Sequence, residues 1–247
     1  LEVCREFRDI NPIEEPIPVQ PGAHYTMGGI DCNVDCETEV FGFFAAGENA
    51  CISLHGANRL GGNSLLESIV TGRRAGRTIA TFIADGKGKH SSAAMSTAES
   101  AAKRRLASLS QGTGDEDPAA LRKELNKIMD DRVFIYREQS AMDEAVQMVR
   151  DLQKRYTKLR PVTGSRSFNY DLIWAYELEG TLKLGEIVAA GAAARKESRG
   201  SHCRRDYPER DDANWMKHTI ATISNDGVVL SYKPVTLTKW QPEKRVY

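Results

Sequence analysis

A chain of 247 residues carries 34 basic and 34 acidic side chains, so its formal charge is zero. That balance gives no electrostatic reason to bind nucleic acid or an anionic membrane surface, and no apolar run nears the roughly 20 residues that span a bilayer. The length suffices for one or two domains with a real core. Cys4, Cys32, Cys36, Cys51 and Cys203 are odd in number and irregular in spacing, which argues against a disulfide framework. Cys32 and Cys36 lie four apart with no second Cys or His pair to complete a zinc site, so reduced, mostly buried thiols are expected.

Residues 1–22 hold Pro12, Pro16, Pro18 and Pro21, which preclude a continuous helix and predict extended segments and turns. The segment from Ala23 to Ile30 follows, with paired glycines at 28 and 29. Cys32 to Thr38 is polar and turn-like. Val40 to Gly47 is a short apolar run ending in Gly, which predicts a buried strand. Glu48 would then stand at its carboxyl end, where open α/β sheets gather ligand contacts.

The run Leu54 to Glu67 places His55 and Arg59 among glycines and offers Asn63 or Ser64 as the N-cap of a helix. Glycine lets a ligand approach the main chain closely, and Arg presents a planar fork that matches a carboxylate. His24 and His55 can hold or give a proton near neutral pH. A helix start exposes free N–H groups and a positive dipole end, which suits an anionic ligand. The helix itself is predicted from Ser64 to about Ile83, with Leu65, Leu66, Ile69, Val70, Ala75, Ile79 and Phe82 forming its packed face. Arg73, Arg74 and Arg77 decorate the solvated side.

Residues 84–116 read as a linker with a helix near 93–106. Asp117-Pro118 starts the next helix, followed by Leu121, Leu125, Ile128 and Met129 at helical spacing. Ser140 with Asp143 predicts a capping box, and the stripe behind it runs Met142, Val146, Val149, Leu152, Tyr156. A third helix is predicted from about Tyr170 to Lys196, rich in Ala and Gly toward its end. Together these form an antiparallel helical bundle. The tail has a signature of its own in Glu197-Ser198-Arg199-Gly200-Ser201-His202; within it His202, and beyond it Arg205, read as organisers of a domain interface, while His90 and His218 read as ordinary residues. Val228 to Tyr232 and Val235 to Leu237 predict short strands around Pro234. No glycine fingerprint for a nucleotide phosphate occurs.

His24-Tyr25-Thr26-Met27-Gly28-Gly29, then Ala45-Ala46-Gly47-Glu48, then Leu54-His55-Gly56-Ala57-Asn58-Arg59-Leu60-Gly61-Gly62-Asn63-Ser64-Leu65-Leu66-Glu67 form a long ordered pattern. It resembles the flavoprotein subunit of the succinate dehydrogenase and fumarate reductase family. The resemblance covers nearly the whole chain, which starts at Leu1 in what reads as a continuing sequence and is expected to be the C-terminal fragment of such a subunit. It implies an α+β multidomain fragment: residues 1–20 ending a capping domain, 21–95 the C-terminal segment of a doubly wound FAD-binding domain, 96–196 the helical bundle, and 197–247 a small mixed α/β C-terminal domain.

The same resemblance implies FAD as cofactor and interconversion of succinate and fumarate by hydride transfer. Its partners would be an iron–sulfur subunit and a membrane anchor, at the cytoplasmic side of a prokaryotic inner membrane. Matched by motif, His24 and Arg59 bind the substrate carboxylates from opposite sides. Glu48 holds the ribityl hydroxyls of FAD, the backbone of Ser64 and Leu65 approaches the flavin's pyrimidine edge, and Asn63 is a further cofactor-binding residue. His55 either touches flavin or substrate or shapes its loop. The proton-transferring Arg, the flavin-linking His and the phosphate-binding glycines would lie upstream of Leu1. The piece alone is therefore expected neither to hold FAD tightly nor to turn over. L-Aspartate oxidase, which shares His-Tyr-Thr and Glu-Ser-Arg-Gly, is the alternative; Met27, where that enzyme tends to have Cys, and the long tail after Pro208 speak against it. An inactive truncated piece is the third reading.

Overall fold

The computed structural model describes residues 1–89, 91–165, 167–224 and 227–243; His90 lies outside them. The opening of the chain corrects the first expectation. Helix α1 (Glu2–Arg8) forms in the stretch that precedes every proline, and Asp9 closes it at φ 52°. Irregular chain follows only after that point. Strand β1 (Ile30–Asp31) then pairs in parallel with β2 (Ala50–Cys51). A small core of Cys32, Ala45 and Ala50, with Ile52 against it, packs beside them.

No strand forms over residues 40–47. The Phe43 N–H donates to the Val40 carbonyl at 2.9 Å and the Thr38 N–H to the Phe43 carbonyl at 3.2 Å, closing a turn instead. Gly42 supplies the left-handed residue at φ 75°. Phe41 and Phe44 gather on Phe82, with ring centroids 5.2 and 5.5 Å away, so their apolar surface is spent on a helix and not on a sheet. Glu48 consequently sits in a one-turn 3-10 helix (Gly47–Asn49) that leads into β2.

Helix α2 (Asn63–Ala84) is the long element of this half. Its cap is Gly62, at φ 82° and with no side chain to offer, so Asn63 and Ser64 are helical residues and not caps. Its predicted face holds at Ala75, Ile79 and Phe82, which are buried or half-buried, and fails over the first two turns. Glu67, Thr71 and Ala75, one turn apart, are buried, whereas Leu65, Leu66, Ile69 and Val70 are all more than half exposed. The polar face wins because the loops at 25–60 satisfy it: the Gly47 N–H donates to Thr71 Oγ1 at 2.9 Å, and Cys36 Sγ–H points at the Thr71 carbonyl at 3.5 Å.

Helices α3 (Ser92–Ser110), α4 (Pro118–Arg132), α5 (Gln139–Tyr156) and α6 (Tyr170–Ala194) build the bundle. Leu121, Leu125, Ile128, Met142, Val149, Leu152, Leu178 and Leu182 share its core. Asp117 caps α4 as predicted, accepting from the Ala119 N–H at 2.9 Å. At Gly185 on α6 a Cβ would come within 3.1 Å of Leu125 Cδ1, so the missing methyl is what lets the two helices close. The predicted capping box of α5 does not form. The helix starts two residues early, with Glu138 at the N-cap position, and the Gln139 N–H donates to Asp206 Oδ2 at 3.0 Å, a cap lent by the tail.

In the tail, β4 (Cys203–Arg204) pairs in parallel with β3 (Tyr136–Arg137), and a short α7 (Asp212–Trp215) precedes a hairpin. The hairpin is β5 (Lys217–Ser224) against β6 (Gly227–Pro234), antiparallel, with Lys217 opposite Pro234 and Ser224 opposite Gly227. β6 contains the predicted strand at 228–232. Val235 to Leu237 is not a strand, and β5 was not foreseen although Thr219, Ile220, Thr222 and Ile223 are β-branched.

Arg204 ties these parts together. Its side chain is fully buried; Nη1 donates to the carbonyls of Ala192, Ala193 and Arg195 at 3.2, 3.3 and 3.1 Å, the last acceptors of α6. Nη2 reaches Gln139 Oε1 at 2.9 Å, and Asp206 accepts from Nε and Nη2 at 2.7 and 2.6 Å. The guanidinium holds the Asp206 carboxyl down at about 2. The architecture is α+β and multidomain, as predicted, and among the described residues no helix is long and apolar enough to cross a membrane.

Candidate functional site

The predicted site residues gather around the start of α2. Because Gly62 cannot cap it, the N–H groups of Ser64 and Leu65 have no hydrogen-bond partner among the described residues; the Asn63 N–H donates to the Leu60 carbonyl at 3.2 Å. An uncapped helix start of this kind carries partial positive charge and free donors.

Beneath it lies a network the sequence reading missed. Glu67, at 2% side-chain exposure, accepts through Oε2 from the Tyr25 hydroxyl and stands 2.7 Å from His55 Nε2. The Tyr25 oxygen and His55 Nε2 are 3.2 Å apart, and the two rings meet edge-on with centroids at 5.3 Å. Burial, then the hydrogen bond to Glu67, pushes the Tyr25 phenol up to about 12, so it remains a donor. His55 is thus committed at Nε2 to Glu67.

Arg59 lies over this assembly, its Cζ 4.6 Å from the centroid of the Tyr25 ring. Nη1 donates to the Leu60 carbonyl at 3.2 Å. Nε is buried and has no partner among the described residues. Nε and Nη2 form one edge of the guanidinium plane, and that edge is the shape of a carboxylate receptor. A buried donor left unpaired inside a protein costs about 1–3 kcal/mol, so its presence points to a ligand.

The Thr26 N–H donates to Glu48 Oε1 at 3.0 Å, and the rest of the Glu48 carboxylate is exposed. Tyr25 and Thr26 are therefore tied to Glu67 and Glu48. His24, one Cα step of about 3.8 Å away, is exposed and carries no hydrogen bond or ion pair among the described residues. Arg59 rests on the residue beside His24.

The loop bearing Arg59 is pinned from behind by the tail. The Ala57 carbonyl accepts from the Ser201 N–H at 3.0 Å and from Ser201 Oγ at 2.8 Å. Gly200, at φ 57°, presses so close that a Cβ would meet the Ala57 oxygen at 2.5 Å. His202 Nδ1 accepts from Arg137 Nη1 at 2.6 Å and its Nε2–H donates to the Arg195 carbonyl at 3.1 Å. Burial holds this ring down at about 4, so it is neutral and structural. Arg205 reaches Glu138 at 3.3 Å and covers the Tyr136 ring. His218 Nε2 sits 2.8 Å from Ser53 Oγ, fastening the hairpin to the β2 segment. All five cysteines are free, and burial pushes the Cys32 thiol up to about 11.

Of the predicted set, Arg59, His55, Glu48 and the α2 start converge, and His24 stands at their edge. Tyr25 and Glu67 were legible only as a Tyr inside the His-Tyr-Thr motif and an acid following Leu65-Leu66 early in the predicted helix.

Comparison with known proteins identifies the family. A family model described as fumarate reductase flavoprotein C-term matches residues 122–247, and a model of an FAD binding domain matches residues 1–65. The fumarate reductase flavoprotein subunit of Haemophilus influenzae is 42% identical over 247 residues, covering 100% of this chain and 41% of the relative. The chain thus spans about two-fifths of that relative's length. A variant of the Escherichia coli quinol fumarate reductase superposes with a TM-score of 0.92 at 42% identity, covering 100% of this chain and 42% of that one. A quinol-fumarate reductase with menaquinol molecules gives a TM-score of 0.90 at 40% identity, over 97% of this chain and 42% of that one.

Proposed function

The chain belongs to the fumarate reductase flavoprotein family, and on that premise we propose that it forms the dicarboxylate-binding side of an FAD-dependent flavoprotein that interconverts succinate and fumarate. The observation that carries this reading is the buried, unpartnered Nε of Arg59, on a loop that runs into a helix start with no side-chain cap. The Nε–Nη2 edge takes one carboxylate of a four-carbon diacid in a two-to-two pairing, and the exposed His24 takes the other. Charged hydrogen bonds of this type contribute about 1.5–3 kcal/mol each and fix orientation as well.

The residues also fit FAD. The unpaired N–H groups of Ser64 and Leu65, with Asn63 beside them, suit an electron-rich edge of a flavin ring, and the uncommitted oxygen of Glu48 suits a sugar-alcohol hydroxyl. FAD, when bound, supplies the hydride chemistry. The protein's own part is to hold the diacid by both ends and to place positive potential at the cofactor's edge. Electrons then pass to an iron–sulfur subunit of a membrane-anchored assembly. The L-aspartate oxidase alternative is not favoured, because the relatives most similar in sequence are fumarate reductase and succinate dehydrogenase flavoprotein subunits.

The test is titration of the FAD-loaded flavoprotein with malonate, a diacid that cannot be reduced. Arg59→Met should weaken binding by roughly 10- to 100-fold, about 1.4–2.8 kcal/mol. Unchanged affinity in that variant would end the proposal.

A further inference from the structure

Three separate pieces of chain meet at one carboxylate oxygen. Glu67 Oε2, on the buried face of α2, receives the Tyr25 hydroxyl from the segment at 24–26 and faces His55 Nε2 from the loop at 54–60. A carboxylate this buried is tolerated only when its donors are held close, so the contact fixes both neighbours to the helix. The Arg59 guanidinium rests on the Tyr25 ring.

We propose that Tyr25 is a positioning residue for substrate binding: clamped through its hydroxyl by Glu67, its ring is the platform that holds Arg59 with the Nε–Nη2 edge open to a dicarboxylate. This rests on the reading of Arg59 as a carboxylate ligand. Two physical effects act together. A phenol that donates to a carboxylate gains electron density on its ring, which strengthens the attraction for a cation lying on the face. A long Arg side chain has much rotamer freedom to lose, and a platform that removes it beforehand lowers the entropic cost of gripping the ligand. The Leu60 carbonyl, held by Nη1 at 3.2 Å, fixes the opposite edge. The guanidinium is thereby held on its face by the Tyr25 ring and on one side by the Leu60 carbonyl, which leaves the buried Nε without a partner among the described residues.

The experiment compares Tyr25→Phe, Glu67→Gln, Arg59→Met and the Tyr25→Phe/Arg59→Met double variant in the FAD-loaded flavoprotein. Malonate affinity is read by calorimetry, fumarate reduction by steady-state kinetics, and bound FAD and thermal midpoint by absorbance and scanning calorimetry. Tyr25→Phe keeps the ring and removes the clamp; malonate binding should weaken about tenfold, and KM should rise in step with Kd while kcat stays within about twofold of the parent. Glu67→Gln should shift both readouts the same way. The double variant should bind no worse than Arg59→Met alone, since the platform has no function without the guanidinium.

If Arg59→Met loses malonate while Tyr25→Phe binds as the parent does, the platform is wrong and the carboxylate site stands. If Arg59→Met binds normally, the site reading itself fails. Additive losses in the double variant would also overturn the proposal, because Tyr25 would then act independently of Arg59. Should Tyr25→Phe lose FAD or unfold, Glu67→Gln decides: a matched rise in Kd and KM at full FAD content supports the clamp, and unchanged values refute it.

Discussion

Replacing Gly200 by alanine should loosen the substrate loop from a distance. Gly200 holds φ 57°, a conformation that costs an L-residue with a side chain about 1–2 kcal/mol. The new Cβ would also stand 2.5 Å from the Ala57 oxygen, where an ordinary contact needs about 3.5 Å. The two backbones must therefore part by about 1 Å. That separation breaks the bonds from the Ser201 N–H and Oγ to the same carbonyl, now 3.0 and 2.8 Å long. Each contributes about 0.5–1.5 kcal/mol, so the junction loses about 2–5 kcal/mol in all. The loss falls on a loop and not on the bundle core, so it should appear as local opening. Amide hydrogen exchange across residues 54–62 of the flavoprotein should accelerate by at least tenfold, with exchange in α5 and α6 unchanged. Malonate should restore part of the protection. Ser201→Ala, which loses one hydroxyl bond and adds no clash, should give a several-fold effect at most. If Gly200→Ala exchanges at the parent rate over 54–62, the tail does not brace the loop and the reasoning is wrong.

Two further changes probe the tail. Arg204→Met leaves the carbonyls of Ala192, Ala193 and Arg195 and the Asp206 carboxylate without their donor, which should cost about 3–5 kcal/mol in urea denaturation and unmake the cap of α5 as well. For His202, the unfolded ring titrates near 6.5 and the folded ring near 4, so the unfolded state binds the extra proton between those values. Stability is then full above about pH 6.5 and falls by about 3 kcal/mol as pH drops toward 4. His202→Gln should flatten that part of the profile, measured as urea midpoints at fixed pH. A profile equally steep in the variant would assign the slope to other groups.

What was legible in the sequence depended on whether the deciding partner was near in the chain. Asp117-Pro118 capped its helix as read, because capping is settled within three residues. Ser140 and Asp143 failed as a cap because Asp206, far along the chain, took the place. The run at 40–47 has the composition of a strand, but Gly42 turns it and Phe82 receives its aromatic rings. The candidate ligands His24, Glu48 and Arg59 were visible by type and motif. Their mounting was not, since Tyr25, His55 and Glu67 meet only after three segments have folded together.

Helix α2 shows why the inside of this half could not be read from apolar spacing. The rule that the apolar stripe faces inward assumes that the loops opposite are apolar. Here they bring backbone N–H groups, a phenol and an imidazole, and a polar face of Glu67 and Thr71 satisfies them. Leu65, Leu66, Ile69 and Val70 are left on the outside, next to the uncapped helix start. The buried face of the helix thus holds the carboxylate that clamps Tyr25, on whose ring Arg59 rests. Had the helix turned its leucines inward, Glu67 would face solvent, Tyr25 would lose its anchor, and Arg59 would have no platform.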